Sequence, residues 1–116
     1  MMVVMNADNG KVVTTLPIGN GPDAVGFDPG KMCAYSSNGQ GTLTVVKEES
    51  VDKFTVLENV ATQKGARTMS VNTKTHHIYL PTVEYMPAAP AKEGEKPTKP
   101  KMQPGTFTVL DIAPME

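Results

Sequence analysis

Asp23 and Arg67 stand 44 positions apart, each at the threshold of a short apolar run. Opposite charges in matching places of two like segments could hold one polar ligand between them. They could equally cap two strand starts or pair with a neighbour. Gln63 and Lys64 lie just ahead of Arg67, and Asn38 and Gln40 sit in Asn38-Gly39-Gln40-Gly41, a loop between two apolar runs. Loops on a rigid scaffold are where binding residues concentrate. Asp23, Arg67, Gln63, Lys64, Asn38 and Gln40 are therefore the candidates for a ligand face.

Other residue types with chemical potential are less organised. His76-His77 invites a metal reading, but adjacent strand residues point to opposite faces, so the pair cannot chelate one ion from one side. A solvent-facing pair near a turn is expected. Met32 and Met69 fall on positions expected to face a core. The other methionines show no regular spacing of the kind a soft-metal site needs. Cys33 is the single cysteine and sits on an apolar alternation, as a small buried hydrophobe would. Ser36-Ser37 ends an apolar run with no His nearby in sequence. No nucleophile elbow, phosphate loop or paired-Cys motif occurs. Neither catalytic residues, metal ligands nor a cofactor are expected.

The elements that must position these residues are short strands. Ala24 to Phe27, Met32 to Tyr35 and Leu43 to Val46 are separated by Asp28-Pro29-Gly30-Lys31 and Asn38-Gly39-Gln40-Gly41. Connections this short reverse the chain, so the three runs form an antiparallel meander. Asn9-Gly10 marks an earlier hairpin, since both residue types tolerate positive φ. Strands are expected at about 2–5, 11–16, 24–28, 32–36, 42–47, 53–60, 67–71, 77–81 and 106–112.

The meander recurs. Val25, Phe27, Asp28 and Tyr35 match Met69, Val71, Asn72 and Tyr79 at a displacement of 44, and Gly41 to Val45 returns as Gly105 to Val109 at 64. The difference falls in Pro81 to Pro104, rich in Pro, Lys, Glu and Ala, which reads as a loop with little to bury. Four strands per repeat of this length is the blade period of a β-propeller. The expected fold is all-β, a partial β-propeller of about two four-stranded antiparallel blades, one complete and its neighbours partial. Residues 1–18 form an incomplete blade hairpin, 19–60 the complete blade, and 61–116 a last blade carrying the insertion 81–104. Open blade edges are templates for self-association.

Strand alternation also assigns faces. The connections Pro17 to Pro22, Ser37 to Gly41, Ala61 to Ala66 and the insertion all fall at one end of the sheets, which makes that end the candidate binding face.

Composition narrows the partners. With 116 residues there is room for one domain. Lys+Arg 11 against Asp+Glu 12 lacks the basic excess of a duplex nucleic-acid binder. Single-stranded nucleic acid would need aromatic platforms beside a basic groove, and three Tyr and three Phe, mostly on core alternations, support that weakly. Lys92, Lys96, Lys99 and Lys101 against Glu93 and Glu95 give the insertion only a faint basic character. No apolar run approaches the roughly 20 residues that cross a bilayer, and the N-terminus has no export-signal pattern.

Gly19 to Pro29, followed by Ala34 to Gly39 and Gly41 to Val46, closely resembles the YVTN-type bacterial β-propeller repeat of the YncE-like proteins. Gly65 to Met69, Thr75 to Pro81 and Pro104 to Leu110 resemble the C-terminal end of such proteins. The resemblance covers nearly the whole chain, at roughly a third of the family's usual length. It implies a propeller blade architecture and a periplasmic or secreted location. Some members of the family are linked to single-stranded DNA, and related propellers host lactonases or redox enzymes. On this reading the chain is a non-enzymatic binding or interaction module, with an unidentified ligand or protein partner on the loop face. The alternatives are part of a propeller enzyme, lactonase-like or redox-linked, with Asp23 and Arg67 facing substrate, or a propeller that binds single-stranded DNA.

Overall fold

A computed structural model describes residues 1–86 and 101–114. Most of the insertion, residues 87–100, therefore lies outside the described residues. The described chain is all-β, with nine strands and no helix. Among the described residues none is in a helix long and apolar enough to cross a membrane.

The strands form three antiparallel sheets. β1 (Met2–Met5) pairs with β2 (Val12–Leu16). The meander β3 (Pro22–Asp28), β4 (Cys33–Asn38), β5 (Thr42–Ser50) and β6 (Lys53–Ala61) makes the second sheet in sequence order. β7 (Ser70–Asn72), β8 (His77–Thr82) and β9 (Thr108–Ile112) make the third, again in sequence order. Short connections account for this: each strand pairs with its neighbour in the chain because no linker within a sheet, apart from the insertion, is long enough to carry it elsewhere.

The repeat is visible in the backbone. Met32 and His76, 44 positions apart, are the two non-glycine residues with positive φ among the described residues, 54° and 65°. Each closes the turn before the second strand of its sheet. The preceding Asx residues act alike: Asp28 Oδ1 accepts the Gly30 N–H (3.0 Å), and Asn72 Oδ1 accepts the Lys74 N–H (3.0 Å). Such side chains substitute for backbone acceptors in tight bends.

Several boundaries differ from expectation for physical reasons. Met32 belongs to the turn and is exposed, so it does not face the core. β7 starts at Ser70 rather than 67, because the Arg67 carbonyl accepts the hydroxyl of Ser37 from the neighbouring sheet. β8 runs one residue past the expected end at 81, to Thr82, so the residues at the start of the expected insertion are strand. Pro81 pairs with Val109, while β7 begins at Ser70 opposite Tyr79 and does not reach Pro81, so its missing N–H disturbs only one side of the strand. The bridge of Tyr85 to Met102 continues this pairing beyond the strands.

The core lies between the second and third sheets. Cys33, Tyr35 and Leu43 pack with Ile78, Leu80 and Ala66, and Val71, Met69, Leu110 and Ile112 extend the cluster. Burying a side chain such as Leu43 or Leu80 contributes about 1.5–3 kcal/mol. β3 lies against β7 and β2 against β6. Gly26 permits the first approach, since a Cβ there would stand 2.7 Å from Val71 Cγ2. On the opposite face of β3, Val25 and Phe27 are exposed, at 73% and 45%.

Candidate functional site

Three of the four connections expected at one end of the sheets are knitted into one surface. The Gly39 N–H donates to the Gly21 carbonyl (2.7 Å) and the Gln40 N–H to that of Asn20 (3.2 Å). Gly65 N–H reaches the Gly39 carbonyl (2.9 Å), and Thr62 N–H that of Gly41 (2.8 Å). Three connections distant in sequence thus share their backbone polar groups. Gly21, Gly41 and Gly65 make this possible with φ of 69°, 107° and 87°, which side chains rarely tolerate.

Side chains then dress this surface. The Arg67 stem lies over Gly39, where an added Cβ would meet its Cδ at 3.2 Å. The Tyr85 ring lies over Gly65, its Cε2 2.8 Å from where a Cβ would stand. The Gln63 amide donates to the Val83 carbonyl (3.3 Å), tying the third connection to the segment after β8. Arg67, Lys64, Gln40 and Asp23 are exposed. Among the described residues no ion pair joins Asp23 to Arg67.

Asn38 is placed differently from the other candidates. It is fully buried, the last residue of β4, beneath the surface rather than on it. Its Nδ2 donates to the hydroxyls of Thr42 (3.1 Å) and Thr44 (3.0 Å), and its Oδ1 accepts from Ser36 (2.9 Å). Every hydrogen-bonding capacity of the amide except one carbonyl lone pair is used, which is what burial of such a group demands. Ser37, also buried, accepts the Ala24 N–H (3.3 Å) and donates to the Arg67 carbonyl. Ser37 therefore joins β3, β4 and the start of the next unit, while the Ser36 hydroxyl donates to Asn38 within β4.

A second cluster at the other end of the sheets was not expected. Asp28, with no exposed surface, accepts a hydrogen bond from His76 Nδ1 at 2.5 Å, joining turns of the second and third sheets. Burial pushes the Asp28 carboxyl up. The hydrogen bonds from His76 and Gly30, the His76 charge and the Lys31 N–H outweigh it and hold the group below its ordinary value. His77 turns instead to Asp111 on β9 (2.7 Å). The histidines are thus not a bland solvent-facing pair: each is engaged by a different carboxylate. Among the described residues no group of three or more His, Cys, Asp and Glu is disposed to hold a metal ion.

His76 borders a cleft of about 550 Å³ between the two sheets, along with Cys33, Tyr35, Leu43 and Ile78. Burial, together with the Cys33 and Asp28 charges, pushes the Tyr35 hydroxyl up to about 12. An imidazole oriented by a buried carboxylate is half of a nucleophile-activating pair. Among the described residues lining the cleft, Cys33 turns its thiol to the Lys31 carbonyl (3.4 Å). The pair acts as a clasp between sheets. No sequence signal marks it, because its partners lie 48 residues apart in different repeats.

Set against protein families, curated proteins and solved structures, the chain matches none of them.

Proposed function

We propose that this chain is a portion of a YVTN-type β-propeller and works as a non-enzymatic binding module through its loop face. The neighbouring first strands of successive units, β3 and β7, support the propeller reading, as does the matched turn geometry at Met32 and His76. So does the exposed apolar face at Val25 and Phe27, where a propeller would stack a further blade. A periplasmic or secreted location belongs to the same proposal, from the resemblance alone.

The observation that carries the binding reading is the backbone knitting of three connections into one platform under Arg67, Lys64, Gln40 and Asp23. Preorganised loops lower the ordering cost of association. Two cations without a described acidic partner favour a protein or peptide with an acidic edge. Peptides selected on the wild-type chain by surface display should lose binding to a K64E/R67E variant by about tenfold or more. They should keep binding to K53E, a charge change on the edge strand β6. Peptides indifferent to K64E/R67E would overturn the assignment of this face.

A further inference from the structure

A pocket of about 360 Å³ lies beneath the connection from β2 to β3, and none of the described residues lining it is charged. Pro17, Ile18 and Val56 give it an apolar wall, and Asn20, Gln40 and Asn59 supply three carboxamides. That size is at the small end of ligand pockets, which combine apolar walls with a few placed polar groups.

Two of the amides are oriented from below by the buried network around Asn38. The Thr44 hydroxyl accepts from Asn38 Nδ2 (3.0 Å) and from the Gly19 N–H (3.2 Å), which fills both its lone pairs. Its single proton therefore goes to Asn59, and the accepting atom must be Oδ1 (2.7 Å). The Asn59 NH2 group is left to offer its protons outward. Thr42 likewise accepts from Asn38 (3.1 Å) and from Gln40 Nε2 (3.0 Å), which leaves Gln40 Oε1 as an acceptor. Gly19 lets the chain close over this network: a Cβ there would stand 2.5–2.8 Å from Thr42, Asn38 and Gln40.

We propose that this pocket binds an uncharged polyhydroxylated ligand, a saccharide unit. Neighbouring hydroxyls of a sugar ring accept from Asn59 Nδ2 and donate to Gln40 Oε1, while its C–H face covers Pro17, Ile18 and Val56. A phosphate or carboxylate would give up its hydration with no cation among the described lining residues to receive it. A purely apolar ligand would strand the amides. The site shares Gln40 with the loop face but uses neither Arg67 nor Lys64, so the two readings can fail separately.

The test is a titration of the isotope-labelled full chain with glucose, N-acetylglucosamine and trehalose, followed at the side-chain amide resonances. At least one sugar should shift the Asn59 NH2 signals saturably, with a Kd on the order of 1 mM. Glucose 6-phosphate should bind no more tightly than glucose. Asn59→Asp keeps an oxygen for Thr44 and replaces the outward donor by an acceptor, so it should weaken binding about tenfold with the remaining spectrum unchanged. K64E/R67E should leave sugar binding intact. No saturable shift with any of the three sugars, or full binding by Asn59→Asp, would overturn the proposal. Tighter binding of N-acetyl-alanyl-alanine amide than of every sugar would overturn it in favour of a peptide.

Discussion

Replacing His76 by Ala isolates what the clasp between the second and third sheets contributes. Asp28 has no exposed surface, and among the described residues His76 is its one side-chain partner, at 2.5 Å. A hydrogen bond to a charged group contributes about 1.5–3 kcal/mol, and removing one partner of a fully buried ion pair costs about 3–5 kcal/mol. Asp28 keeps the N–H groups of Gly30 and Lys31, and the His76 side chain is 28% exposed, so water can enter behind it. The lower range applies, and His76→Ala should lose about 2 kcal/mol at neutral pH. The pH dependence carries a sign. Because the folded carboxyl is held below its ordinary value of 3.8, the folded chain sheds this proton more readily than the unfolded one. The stabilisation is therefore complete above that value and disappears as pH falls through the lower folded one. In His76→Ala the largest remaining influence is burial, which pushes the carboxyl up, so acid unfolding should begin at higher pH. Urea titrations of wild type and variant at pH 7 and across pH 2–5 measure both effects. A variant with stability within about 0.5 kcal/mol of wild type and an unchanged acid transition would refute the clasp.

Further substitutions probe the supporting geometry. Gly26→Ala places a Cβ 2.7 Å from Val71 Cγ2 and should cost about 1–3 kcal/mol by overpacking, read from the urea midpoint. Gly19→Ala intrudes on Thr42, Asn38 and Gln40 at 2.5–2.8 Å and should cost a similar 1–3 kcal/mol, roughly. It should also speed hydrogen exchange at the Gly19 amide. His77→Ala removes a surface pair with Asp111 and a tilted ring contact with Tyr79 and should leave stability within about 0.5 kcal/mol of wild type. A loss as large as that of His76→Ala would contradict the distinction drawn between the two histidines.

Local patterns in the sequence carried most of the fold. Alternating apolar runs and Gly- and Pro-marked turns located the strands, and the matches of Val25 to Met69 and Tyr35 to Tyr79 located the second unit. What stayed hidden were pairings between units. Asp28 was legible as a turn residue, and it does bind the Gly30 N–H. Its other oxygen meets His76 only because two turns converge in space, and no local pattern encodes that. The Met32 and His76 side chains differ entirely, so their shared positive φ left no mark on composition. Asn38 looked like a loop residue because Gly39 follows it. It is buried because β4 is an inner strand of its sheet, flanked by β3 and β5, and the hydroxyls of Ser36, Thr42 and Thr44 satisfy its amide.

The first strands of the two units stand side by side, with Gly26 against Val71. A Cβ at position 26 would lie 3.9 Å from that of Val71, within the span of a disulfide. A chain carrying Gly26→Cys, Val71→Cys and Cys33→Ala should form that bond on mild oxidation, within one molecule and without reducing agent present. Thiol titration after oxidation should find no free cysteine. Two free thiols, or cross-linking only between molecules, would contradict the arrangement.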